Sequence, residues 1–235
     1  MKSTSNKKQS FSIEDFEKGL MLAGYIMPKS TIEFQEREAL EHFEALQSAA
    51  KKDIYFKRVV LAAEIAYKLH QEPTFGRIKF QKIVYMCEHV AEMDLEGRYL
   101  KQAAGPFDNK FMHTIAMDFK KNKWFDVVKE AGSGITRSKY IPLENQDGYK
   151  KYYIGYFKKE DERIQFIIEL FRKMSTDQTE LAATILACHL ELRSQDYSWN
   201  DLTELFYNWS DKKKRFSEID IKSSFDWLKA NALIS

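Results

Sequence analysis

Residues 73–85 read Pro-Thr-Phe-Gly-Arg-Ile-Lys-Phe-Gln-Lys-Ile-Val-Tyr. They are followed by Ala103-Ala-Gly-Pro-Phe-Asp-Asn-Lys110 and then by Lys120-Lys-Asn-Lys-Trp-Phe125. Ile78, Phe80, Ile83, Val84, Met86, Cys87 and Val90 recur at helical spacing, which predicts a helix over 77–93 with Arg77, Lys79 and Lys82 flanking its first turns. Gly105-Pro106 predicts the start of a second helix over 107–121, since the missing N–H of Pro106 costs nothing in a first turn. The β-rich stretch 124–129, the turn Ala131-Gly-Ser-Gly134 and the stretch 135–143 predict a hairpin.

Upstream, Phe56, Val59, Val60, Ala63, Ile65, Ala66 and Leu69 place a helix over 55–70. Three helices and then a hairpin is the element order of a winged helix. The fold expected is therefore mainly α, with a winged-helix-like module over 52–157 and a C-terminal helical bundle over 158–235. Within that bundle, helices are predicted at 163–174, 178–193, 200–209 and 217–230, with Ser217 as a cap. The Tyr-rich stretch 146–157 reads as irregular. Residues 1–10 read as a disordered polar tail. Residues 11–50 read as a helical arm, built from a helix over 13–23 that follows Ser12 and ends near Gly24, a break at Met27-Pro28-Lys29-Ser30, and a charged helix over 31–50.

A composition of 44% hydrophobic and 31% charged residues in 235 positions is enough for a sizeable core. No apolar run approaches the roughly 18 residues of a membrane span, and the N-terminal residues lack the apolar stretch of a secretory signal. Cys87 and Cys188 stand apart in apolar helical patterns, so they read as buried free thiols of a reducing, cytoplasmic protein. The net charge of +2 conceals an uneven distribution: residues 51–160 hold 21 Lys/Arg against 14 Asp/Glu, while both flanks are acidic. A basic middle favours nucleic acid or an acidic protein as partner.

The usual catalytic constellations are missing. The five histidines include no i, i+4 pair and none lies near a cysteine at finger-like spacing, so no metal is expected. There is no G-x-S-x-G, no phosphate-cradling glycine loop, and no clustered acids at nuclease spacing. Asp108 and His113 could approach across a helical turn, but Asp108 reads as a capping or solvated residue rather than a catalytic acid. The chain is expected to be no enzyme, to need no cofactor and to take no small-molecule substrate. The candidate backbone-contacting residues are Arg77, Lys79 and Lys82 on one helix, with Lys120, Lys121 and Lys123 ahead of the hairpin. The run Lys212-Lys-Lys-Arg215 reads as a charged loop. Tyr149, Tyr152, Tyr153, Tyr156 and Phe157 could stack bases but read rather as closing a domain seam.

These blocks, together with Thr179-Glu-Leu-Ala-Ala-Thr184, Asn208-Trp209, Lys214-Arg-Phe-Ser217 and Trp227-Leu-Lys-Ala-Asn-Ala-Leu233, resemble a module at the C-terminus of bacterial type I restriction–modification specificity subunits and related stand-alone proteins. The resemblance covers roughly 51–235. A looser one, through Lys79-Phe-Gln-Lys-Ile-Val-Tyr85 and the Gly-Pro turn, runs to the Panacea antitoxin domain, whose members are mainly helical antitoxins or adaptors. The first resemblance implies a DNA- or subunit-binding module of restriction or phage defence, without the target-recognition domains of a complete specificity subunit. The second implies a protein partner held through Gly105, Pro106, Phe107, Asp108, Asn109 and Lys110 together with the Tyr-rich segment.

Overall fold

The computed structural model describes residues 13–24, 29–131 and 136–234, and the fold is mainly helical. The elements in order are α1 Ile13–Leu22, α2 Lys29–Leu69, α3 Arg77–Val90, β1 Leu100–Gln102, β2 Gly105–Phe107, α4 Asn109–Lys121, β3 Phe125–Ala131 and β4 Thr136–Pro142. There follow α5 Lys150–Tyr156, α6 Asp161–Arg172, α7 Thr176–Leu192, α8 Trp199–Tyr207, a short 3-10 helix Asp211–Arg215, and α9 Glu218–Ala230. The tail 1–10, Ser12, the residues Met27-Pro28 and the turn residues 132–134 lie outside the described residues.

The chain divides into two compact units, Met1–Lys52 and Asp53–Ser235. In the first, Leu22, Leu40 and Leu46 are exposed. The helices expected separately at 31–50 and 55–70 are one continuous α2, because no Gly or Pro stands between them to stop the ladder.

In the second unit, residues 52–157 and 158–235, read from the sequence as successive modules, share one hydrophobic core from residue 53 onward. Two helices run through it nearly enclosed. The stretch Val59-Val-Leu-Ala-Ala63 of α2 and the stretch Leu181-Ala-Ala-Thr-Ile-Leu186 of α7 are buried on all sides, and their alanines let neighbouring helices approach closely. α3 packs against both α6 and α7. A capping box formed by Ser175 and Gln178 starts α7, and equivalent boxes on Ser198 and Ser217 start α8 and α9. Phe80, Phe119 and Tyr140 form an aromatic layer that seats the β3–β4 hairpin on α3 and α4.

Three elements depart from the sequence expectation. Gly105-Pro106-Phe107 does not open a helix; it is strand β2, paired antiparallel with β1 in the register Leu100↔Phe107, Lys101↔Pro106, Gln102↔Gly105. The start of α4 is displaced to Asn109, because the Asp108 carboxylate accepts the Phe111 N–H and caps it. The stretch 146–157 is not irregular either. It contains α5, whose Tyr149 and Tyr152 pack on Tyr67 and Phe56 of α2, and the Tyr149 hydroxyl donates to the buried Glu64.

Gly105 has φ +91°, and a Cβ there would lie 2.6 Å from the Thr184 hydroxyl. Gly105→Ala combines left-handed strain with a clash, and is expected to cost about 2 kcal/mol or more in urea denaturation. A loss within about 0.5 kcal/mol would contradict that account of the hairpin.

Candidate functional site

A helix enclosed as fully as α3 must satisfy its polar residues inside the protein, and its lysines are disposed accordingly. Lys79 is fully buried. Its ammonium donates to Thr74 Oγ1 at 2.7 Å, to the Arg172 carbonyl at 2.9 Å and to the Met174 carbonyl at 2.7 Å. Those carbonyls lie at and just beyond the C-terminal end of α6, where a cation meets unpaired acceptors and the negative end of the helix dipole. Burial nevertheless pulls the Lys79 pKa down to about 8, against the nearby Glu72.

Lys82 is also fully buried, and its ammonium donates to the Pro106 carbonyl. Beside it lies a second buried amine, Lys213, which donates to Glu180 Oε1 at 2.8 Å and Thr184 Oγ1 at 2.9 Å. Burial first, and then the charge of Lys213, lower the Lys82 pKa to about 7, with Glu180 opposing. Glu180 also pairs with Arg215 at 3.2 Å, so Lys213 ties the 3-10 helix to α7 while Lys82 ties α3 to β2.

The expectation that Lys79 and Lys82 contact a nucleic-acid backbone is therefore corrected: neither amine reaches the surface. Arg77 is half-buried, its guanidinium 5.4 Å from the Phe107 ring centroid. Lys120, Lys121 and Lys123 are exposed, but Lys120 pairs with Asp126 at 3.3 Å and Lys123 with Glu144 at 2.8 Å. Of the block expected to hold a protein partner, Gly105, Pro106 and Asp108 are buried and Phe107 is half-buried, leaving only Asn109 and Lys110 at the surface.

Asp108 is held by more than its cap. Arg58, buried on α2, donates from Nη1 to Asp108 and from Nε to Glu88, while its guanidinium lies 4.9 Å from the Tyr99 ring centroid and 4.2 Å from that of Phe111. One cation cannot fully serve two buried carboxylates. Burial works against the charge on Asp108, but the Phe111 N–H, Arg58 and the Arg98 N–H hold its carboxyl below the usual range. Glu88 has fewer donors, and burial raises its pKa to about 7 despite Arg58.

Glu88 forms part of the wall of a groove of about 800 Å³ bounded by α3, residues 92–101, Pro106, α7 and Trp209. Its apolar wall includes Tyr85, Met93, Leu190 and Leu100, the last 61% exposed. Four carboxylates (Glu88, Glu92, Asp94, Glu191) face two cations, Lys101 and Arg193. Lys101 is already bound to Glu191 at 2.7 Å. His89 adds no charge at neutral pH, because burial together with Arg193 and Arg58 lowers its pKa to about 4. Among the described residues no three His, Cys, Asp or Glu side chains are grouped to hold a metal ion, and no helix is long and apolar enough to cross a membrane. Cys87 and Cys188 are free, buried thiols.

No protein-family model matches the chain, and no curated protein matches it either.

Arg58, Glu180, Thr184 and Lys213 carry this architecture without standing out in the sequence. Lys213 lies in the run 212–215, read as a charged loop. The flanking Trp209 and Phe216, which anchor the run at both ends, were the available signal that one of its lysines turns inward.

Lys82 binds a proton less readily folded than unfolded, so its contribution to stability is present above the ordinary lysine pKa and is lost as pH falls towards about 7. Lys82→Met removes that loss. Relative to the parent, it should gain about 2 kcal/mol as pH falls from about 9 to about 7, in urea melts across that range. A pH-independent difference would contradict the burial of the amine.

Proposed function

We propose that this chain is a non-enzymatic protein-binding module whose contact surface is the groove between α3, residues 92–101 and α7. The observation that carries the reading is the groove's chemistry: exposed Leu100 beside an apolar wall, under a rim where Glu92 and Asp94 have no cation bound to them among the described residues. Such a surface fits a partner segment that presents aliphatic side chains flanked by Lys or Arg. The resemblance to restriction and antitoxin proteins sets the partner class as a subunit or toxin of a cytoplasmic defence complex. In this reading, α2 from residue 53, α3 and α4 with the β3–β4 hairpin form a winged-helix-like frame used to hold protein. The Gly-Pro-Phe-Asp block supports the groove from inside, with only Pro106 on its wall.

Backbone contact with DNA is the second reading. It is favoured by the exposure of Lys120, Lys121 and Lys123 at one end of α4. Lys121 has no carboxylate bound to it among the described residues, whereas Lys120 and Lys123 pair with Asp126 and Glu144.

Co-purification with the products of the adjacent genes separates the two. Leu100→Asp and the pair Glu92→Lys/Asp94→Lys should each weaken the protein complex at least roughly tenfold, while Lys120→Gln/Lys121→Gln/Lys123→Gln leaves it intact. A complex indifferent to the groove substitutions, or a salt-sensitive DNA shift abolished by the triple lysine substitution, would transfer the assignment to DNA.

A further inference from the structure

A second cleft, of about 420 Å³, opens between the end of α7, the connection that follows it and α9. That volume lies in the range of small-ligand sites, roughly 300–1,000 Å³. Arg193, Lys222 and Lys229 line it against one carboxylate, Asp196. Lys222 is bound to Asp226 on its own helix at 2.7 Å. Arg193 and Lys229 have no carboxylate bound to them among the described residues, and against the equally unpaired Asp196 they leave the cleft a surplus of one positive charge.

These charges converge. His189, buried at the cleft's inner end, has its Nδ1 2.6 Å from the Tyr197 hydroxyl. Arg193 and Lys229, from different elements, line the same cleft as His189, and burial first, then these two cations, lower the His189 pKa. Aromatic rings complete the walls. Trp199 and Phe225 meet edge-on with centroids 5.6 Å apart, and the Lys222 amine lies 5.3 Å from the Trp199 centroid. The Lys229 amine lies 5.1 Å from that of Phe225. A simple anion needs the cations alone. Aromatic faces beside an unpaired guanidinium and an unpaired ammonium suit a planar ring that carries a phosphate.

We propose that this cleft binds a nucleotide, either free or at the end of a nucleic-acid strand, with its phosphate held by Arg193 and Lys229 and its base against Trp199 and Phe225. The site is separate from the groove assigned to a protein partner, though Arg193 stands between the two. It revises the expectation that the chain takes no small molecule.

Calorimetric titration of the full chain with AMP, adenosine, inorganic phosphate and a short 5′-phosphorylated oligodeoxynucleotide tests it. AMP or the oligonucleotide should bind saturably, and adenosine and inorganic phosphate at least roughly tenfold more weakly. Arg193→Gln/Lys229→Gln should cost at least roughly tenfold without changing the melting temperature, because both side chains are exposed. Tighter binding of the oligonucleotide assigns the site to a strand end, and tighter binding of AMP to a free nucleotide. Bound phosphate cancels much of the field of Arg193 and Lys229, with Lys222, Asp196, Gln195 and Tyr197 the other polar groups lining the cleft, so the His189 pKa should rise on binding, as read by NMR. No saturation at millimolar ligand, equal affinity for inorganic phosphate, undiminished binding by the double variant, or an unmoved His189 would each overturn the proposal.

Discussion

The buried amines of Lys82 and Lys213 lie near one another where α3, β2, α7 and the 3-10 helix converge, and the packing of those four elements depends on how the two are satisfied. Two amines and one carboxylate withdrawn from water cost several kcal/mol per ion, and only good geometry with further hydrogen bonds recovers it. Here Lys213 gains Glu180 and Thr184, and Lys82 gains the Pro106 carbonyl. Gly105 is what lets β2 come close enough, since its missing side chain leaves room for the Thr184 hydroxyl. Each of these residues depends on the others, so the Gly-Pro turn, the helix lysine and the distant 212–215 run form one structural device.

The same logic recurs at Arg58. A single guanidinium reaches the cap of α4 and the last turn of α3, and Tyr99 and Phe111 cover it. Where charge is too scarce to serve both acids, the one with backbone donors, Asp108, keeps its ionised form and Glu88 titrates near neutrality. The groove is thus lined by an acid whose charge responds to pH, next to an apolar wall able to take a hydrophobic side chain.

Periodicity made most helices legible: α3, α7, α8 and α9 fall close to their predicted positions because apolar spacing and Ser caps are local signals. The β1–β2 hairpin was not legible. Its three-residue strands are too short to show alternation, and its Pro-containing strand is stabilised by a lysine more than twenty positions away. For the same reason the lysines of α3 were misread. In a helical pattern, a lysine flanking the apolar stripe reads as solvated unless the surrounding elements are known, and nothing in the sequence near residue 79 shows that the end of α6 arrives there. The aromatics at 149–157, read from the sequence as closing a domain seam, fall instead in a core shared from residue 53 onward, with Tyr149, Tyr153 and Phe157 buried and Tyr152 exposed.

Among the described residues, two surface concavities adjoin Arg193, one acidic and apolar, the other cationic and aromatic. Both interpretations rest on the motif lysines being internal ties rather than contact groups. The direct measurement is amine reactivity of the native protein, read residue by residue by mass spectrometry after brief acylation. The account predicts that Lys79, Lys82 and Lys213 stay unmodified while Lys120, Lys121 and Lys123 react readily, and that all six react once the chain is unfolded. Native-state labelling of Lys79 or Lys82 at the rate of Lys121 would contradict it.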